Sequence, residues 1–105
     1  MQQFTKSQKK HLRKMVGIAY KRHLEKALAK LQQEFKSWNE GAINVWELNQ
    51  KIHEYHNGLS RDLYKMYVLA KPDIALAFAL NNHILDLGEI REDCRSDIKR
   101  LAGIK

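Results

Sequence analysis

Two histidines three residues apart, His53 and His56, bracket Glu54 and Tyr55 near the middle of the chain, and no other spacing in it looks more like chemistry. A zinc-protease helix needs histidines at i and i+4, so that both reach one metal, with a glutamate beside the first as general base. Here the position four after His53 is Asn57, so that motif is absent. His83 and Asp86 form a second i, i+3 pair further along. Even an open catalytic zinc site uses three protein ligands, so only a fold that joined the two pairs would hold a metal. A metal-assisted enzyme built on His53, His56, His83 and Asp86 is the alternative reading. The plainer one leaves these histidines in solvent or at the edge of an apolar face.

Other routes to catalysis find less support. Ser7, Ser37, Ser60 and Ser96 occur in helix-cap or surface contexts, with no Gly-x-Ser-x-Gly elbow. The single cysteine, Cys94, falls on an apolar stripe and reads as a small buried hydrophobe. An internal disulfide is therefore impossible, and the cytoplasm is the expected compartment. Glycine patterns that cradle phosphates are missing. Most carboxylates fall on polar faces or in first helical turns, where negative charge favours a helix N-terminus. No catalytic residue and no cofactor is assigned.

Charge carries more information. Ten of the 19 lysines and arginines fall in the first 38 residues, opposed only by Glu25 and Glu34, a net +8; the other 67 residues hold nine cations and ten acids, a net −1. Lys6, Lys9, Lys10, Arg13, Lys14, Lys21 and Arg22 could neutralise several phosphates, the interaction that supplies most non-specific nucleic-acid affinity. Lysine outnumbers arginine eight to two in the basic segment, whereas bidentate contacts to guanine favour arginine, so sequence-specific readout is not expected. The bland alternative is a solvated, lysine-rich face that keeps the protein in solution. A helix-turn-helix around Gly58, with Arg61 and Lys65 facing a groove, meets an obstacle: the packed position four before the turn glycine, normally small, is Glu54. Membrane association is not expected either. The apolar side of the basic segment, Leu12, Met15 and Val16, has no aromatic anchor besides Phe4. The longest apolar run, Ile74 to Leu80, is seven residues, against about 20 for a membrane span.

The elements that position these groups read as helices throughout. From Thr5 to about Trp38 there is no proline and only Gly17, and apolar residues recur at helical intervals. The second half carries a near-heptad seam, Leu24, Leu28, Leu31, Phe35 and Trp38, spaced 4, 3, 4 and 3. At 100° per residue the sector holding that seam is filled in the first half by Lys6, Lys10, Arg13 and Lys21, with Leu12, Met15, Val16 and Ala19 about a quarter turn away. One straight partner surface cannot serve both halves. The expectation is that the seam is anchored and that the first half, residues 1–22, kinks near Gly17 or projects as a basic arm.

Asn39 to Gly41 reads as a turn, and Asn44 with Glu47 as a capping box opening a second helix with the stripe Val45, Leu48, Ile52 and Tyr55. Asn57-Gly58 predicts a stop with Ser60 capping a third helix, although the spacing Leu48, Ile52, Tyr55, Leu59, Leu63, Met66 continues across it, as one kinked helix would require. Lys71-Pro72 ends that stretch. An apolar helix from Asp73 to Leu87 is expected at the centre. Asp86 and Glu89 cap a last one bearing Ile90, Cys94, Ile98 and Leu101. Trp46 lies off its helix's stripe, pointing to packing under the first helix or against another chain.

The sequence thus predicts a single all-α domain over residues 1–105, a bundle of four or five helices with a long basic N-terminal helix. Its expected role is a non-enzymatic interaction or regulatory module that binds an acidic macromolecule, nucleic acid or an acidic protein surface, through the basic helix. Self-association through Leu24, Leu28, Leu31, Phe35, Trp38 and Trp46 is expected beside it, with a purely structural homodimer as a further alternative.

Overall fold

Thr5 and Gln8 start the first helix with reciprocal bonds: Gln8 N–H donates to Thr5 Oγ1 at 3.1 Å and Thr5 N–H donates to Gln8 Oε1 at 2.7 Å, satisfying two of the orphan donors of a helix N-terminus. In the computed structural model, which describes residues 4–104, this helix (α1, Lys6–Asn39) continues unbroken for 34 residues. At 1.5 Å per residue it is a rod of about 50 Å, and it sets the longest dimension of the molecule, 53 Å against 23 and 22 Å across. The remaining elements are α2 (45–69), α3 (Pro72–Asn81) and α4 (Glu92–Leu101), with a 3₁₀ turn at Leu87–Glu89 and no strand among the described residues. The fold is all-α.

Three helices stop in the same way. After α1, Gly41 N–H donates to Trp38 O at 3.0 Å and Ala42 N–H to Ser37 O at 2.8 Å, with Gly41 at φ +79°. The same pair of bonds closes α3 at His83 and Ile84, and α4 at Gly103 and Ile104. This arrangement needs a left-handed residue just past the helix, usually glycine. Gly103 supplies it at φ +74°, but α3 uses His83 at φ +58°. The expected helix to Leu87 therefore ends at Asn81, where Asn82 Nδ2 also donates to Phe78 O at 2.8 Å. The Asp86–Glu89 capping box forms, but on the 3₁₀ turn; α4 begins three residues beyond it, with Arg91 as its N-cap.

The stop at Gly58 does not occur. α2 is α-helical over Val45–Glu54 and Arg61–Tyr64, with wider i→i+5 turns at Tyr55–Ser60 and Lys65–Leu69, and Ser60 lies inside it at φ −59°, ψ −45°. A residue in helical conformation cannot serve as an N-cap. The unbroken apolar spacing, not the Asn-Gly pair, decides this segment: the wide turns absorb Gly58 while Leu63 and Tyr67 stay buried on one side.

The packing of α1 inverts the expectation. Its first half is the anchored one: Leu12, Met15 and Ala19 are buried with Ala75, Leu76, Ala79 and Leu80 of α3 and with Cys94 and Ile98 of α4. A polar clasp reinforces this contact. Arg91 N–H donates to His11 Nε2 at 2.9 Å, Arg91 Nη1 to Ser7 Oγ at 2.8 Å, and Gln8 Nε2 to Asp93 O at 3.2 Å. The second half soon leaves the core: Leu24 packs against it and Ala27 is its last member from α1, and beyond Ala27 no residue of this helix is buried. Residues 4–22 are thus no projecting arm, and no kink forms at Gly17; residues 1–3 lie outside the described residues. The quarter-turn offset is resolved by burying the early stripe, Leu12, Met15 and Ala19, in one core with α3, α4 and Leu63 and Tyr67 of α2, while most of the later seam stays open.

A second aromatic layer joins the two halves. Tyr20 stacks on Tyr67 with ring centroids 5.4 Å apart, His23 stacks on Phe78 at 5.6 Å, and His23 Nδ1 lies 2.8 Å from Tyr67 Oη.

Two outcomes test this arrangement. Leu12→Ala should cost about 2–5 kcal/mol, as filled core positions do, whereas Leu28→Ala at low protein concentration should cost less than about 1 kcal/mol; equal losses in urea unfolding would contradict the inverted anchoring. Gly17 is exposed mid-helix with nothing within 4 Å of an added Cβ, so Gly17→Ala should stabilise by about 0.5–1 kcal/mol. His83→Gly, which removes a left-handed L-residue, should gain about 1 kcal/mol, and the two gains should add.

Candidate functional site

The docking of α1 turns one stripe inward, Ser7, Gln8, His11, Leu12, Met15, Ala19 and Arg22, and leaves the opposite side to water. Lys6, Lys9, Lys10, Arg13, Lys14 and Lys21 are all exposed there. None of the six enters an ion pair or hydrogen bond among the described residues. From Lys6 to Lys21 the face extends about 23 Å along the rod. Residues 4–22 contain no acid at all.

Arg22 does not belong to this face. Its guanidinium donates to Ile84 O at 3.2 Å and pairs with Glu89 at 2.8–3.0 Å, bracing α1 against the turn before α4. The ion pair holds the Glu89 carboxyl below its ordinary range and raises Arg22. One cation that sequence reasoning missed takes its place: Lys71, in the link between α2 and α3, lines with Lys9 and Arg13 a depression of about 300 Å³ whose floor includes Phe4, Leu12 and Pro72, with Asp73 at its edge. The sequence marks Lys71 only as the residue before a helix-ending proline. Its nearness to α1 is a product of the tertiary fold.

The groups proposed to act through a metal stay apart. His53 and His56 are exposed on α2, His83 and Asp86 in the loop after α3, and no three His, Cys, Asp or Glu side chains converge among the described residues. Cys94 is fully buried, and burial pushes its thiol up, away from the thiolate that reactivity requires. The Tyr67 phenol is pushed up to about 12 by burial and keeps its proton. It is packed beyond the reach of a substrate.

The seam of α1 is exposed where it was expected to be covered. Leu28 is 48% exposed, Phe35 40% and Trp38 41%; across the bend Val45 is 50% and Trp46 78% exposed. Leu24 and Leu31 are half-buried. Leu28, Leu31, Gln32 and Phe35 line a groove of about 230 Å³. No exposed large hydrophobic occurs before Leu28 among the described residues. The basic face and this apolar seam thus occupy successive stretches of α1, residues 6–21 and 24–38, while other exposed hydrophobics, among them Leu69 and Ile74, lie in sequence on either side of Lys71.

No helix of the described residues is long and apolar enough to cross a membrane. No family model, curated protein or solved structure matches this chain.

Two histidines beneath these surfaces make the protein sensitive to acid. His11 is lowered by burial and by Arg91 and Lys14, with Asp93 opposing; His23 is lowered by burial and by Lys26 and Lys30. Both are neutral in the folded protein and take up protons near pH 6.5 once unfolded. The unfolded chain then binds more protons, so stability falls as pH drops below about 6.5 and through the lowered native values. Urea midpoints between pH 7.5 and 5 should decline, and His11→Gln with His23→Gln should flatten that decline; an unchanged slope in the double variant would remove both histidines as its source.

Proposed function

We propose that this protein binds the phosphate backbone of nucleic acid, without sequence preference, through the outward face of α1. The carrying observation is the row of six unpaired cations on a helix held rigid from beneath. A helix docked on a core presents its charges without the ordering cost that a flexible tail meets on binding. Lysines act as point charges toward phosphate, and five of the six are lysine. Protein interfaces carry an apolar centre, whereas no large hydrophobic is exposed on α1 before Leu28, and that favours nucleic acid over an acidic protein surface. A reducing compartment such as the cytoplasm suits a chain whose one cysteine is buried and unpaired.

A salt titration with single- and double-stranded nucleic acid tests the reading. With six phosphate contacts, log K against log salt for duplex DNA should have a slope of about −5. Charge reversal at Lys10, Arg13, Lys14 and Lys21 should abolish binding at low salt and leave the helical signal intact. No binding at low salt, or binding unaffected by the reversal, would refute it. Tighter binding of polyglutamate than of DNA would assign the face to an acidic protein instead.

A further inference from the structure

From the exposed apolar end of the α1–α2 hairpin we infer that a second copy of this chain docks there, closing two hairpins into a four-helix bundle. Five side chains carry the argument: Leu28, Phe35 and Trp38 on α1, Val45 and Trp46 on the first turn of α2. At 100° per residue, Leu24, Leu28, Leu31, Phe35 and Trp38 fall within a sector of about 80°. Ala27, beside one edge of that sector, is buried, whereas Leu28 and Phe35 at the other are exposed. A two-helix layer with an open heptad edge is half of the unit that bundles complete.

Area and charge select a copy of this chain as the occupant. With aromatic side chains of about 150–250 Å² each, the exposed fractions of the five amount to about 500 Å² of apolar surface. At an apolar share of roughly 60%, the interface would cover about 800 Å² per partner, the standard size for a specific complex. Two chains of net +7 repel if they meet at random. Residues 25–54, however, carry four lysines and five glutamates, a net −1, so the surface itself adds no net repulsion of like charge between copies. Nearly balanced charges of both signs are matched by a two-fold copy of the same surface, whereas a strongly charged partner would find no complement.

Both tryptophans of the chain lie at this end, so the protein carries its own reporter. Sedimentation equilibrium and tryptophan emission, read on the same concentration series of the full chain, test the inference. The mass should rise from 12.3 kDa to twice that at high micromolar concentration, with a blue shift as Trp38 and Trp46 leave water. Leu28→Glu with Phe35→Glu should keep the helical signal, stay monomeric and show no shift. Should that pair lose helicity, Trp46→Lys serves in its place and should weaken the dimer at least tenfold. A wild type that stays at 12.3 kDa, a dimer that persists in the variants, or a dimer without a spectral shift would overturn the inference. So would a stoichiometric complex with another protein's helix at this surface. The charge-reversed α1 variant should dimerise as the wild type does, which separates failure of this inference from failure of the phosphate reading.

Discussion

The molecule depends on the contact between the first four turns of α1 and the pair α3 and α4. Leu12, Met15 and Ala19 supply its apolar part, and Ser7, Gln8 and His11 hold the N-terminal end of α4 by hydrogen bonds to Arg91 and Asp93. Arg22 closes the far end of the same stripe on Glu89. Because α3 is buried along Ala75, Leu76 and Ala79, this is the one face of α1 that can complete the core. Every other property of the long helix follows: its lysines must face out, and its second half must overrun the domain. The radius of gyration, 16.9 Å, exceeds the roughly 13 Å of a compact chain of this length for that reason.

The clasp also explains how a stripe so poor in hydrophobic residues can anchor a helix. The first donors of α4 have no intrahelical acceptor. His11 Nε2 meets one of them, at Arg91, from a different helix. The imidazole must be neutral to accept this bond, which links helix docking to the protonation state. Asp93, held down to about 2 by its bonds with Arg91, keeps Arg91 oriented toward Ser7. The interaction is therefore a network spanning α1 and α4, in which each polar group has a partner.

Much of the fold was legible from apolar spacing and caps. The turn at Asn39–Gly41, the capping box at Asn44, the apolar third helix and the all-helical class all follow from local rules that the structure obeys. The anchoring of α1 did not follow, because counting apolar residues favours its second half, with three leucines, a phenylalanine and a tryptophan, over Leu12, Met15 and Ala19. Which stripe is buried depends on what lies opposite, and the small alanines of α3 accept a close partner that local pattern cannot identify. Ser7, Gln8 and His11 escaped notice because neutral polar residues give no periodic signal. Gly58 was misread for a related reason: a turn dipeptide carries weight only where the chain has no better use for its apolar phase. On the basic face six of the seven expected cations remain available, and Arg22 is lost to Glu89, an acid 67 positions away that no local window includes.

The two surfaces left open follow from different physics, and their separation has a reason. Hydrophobic stabilisation scales with area removed from water. Leu12 has realised all of its share within the monomer and Trp46 almost none, so the tip retains free energy that only association can release. Electrostatic attraction acts over longer distances and is weakened by any acid nearby. The apolar seam lies among nearly balanced charges, whereas the cations come from a stretch, residues 4–22, that has no acid of its own. A rod with its core at one end is what leaves both surfaces open on a single helix of 34 residues, since a compact bundle would bury the second half of that helix as it buries the first.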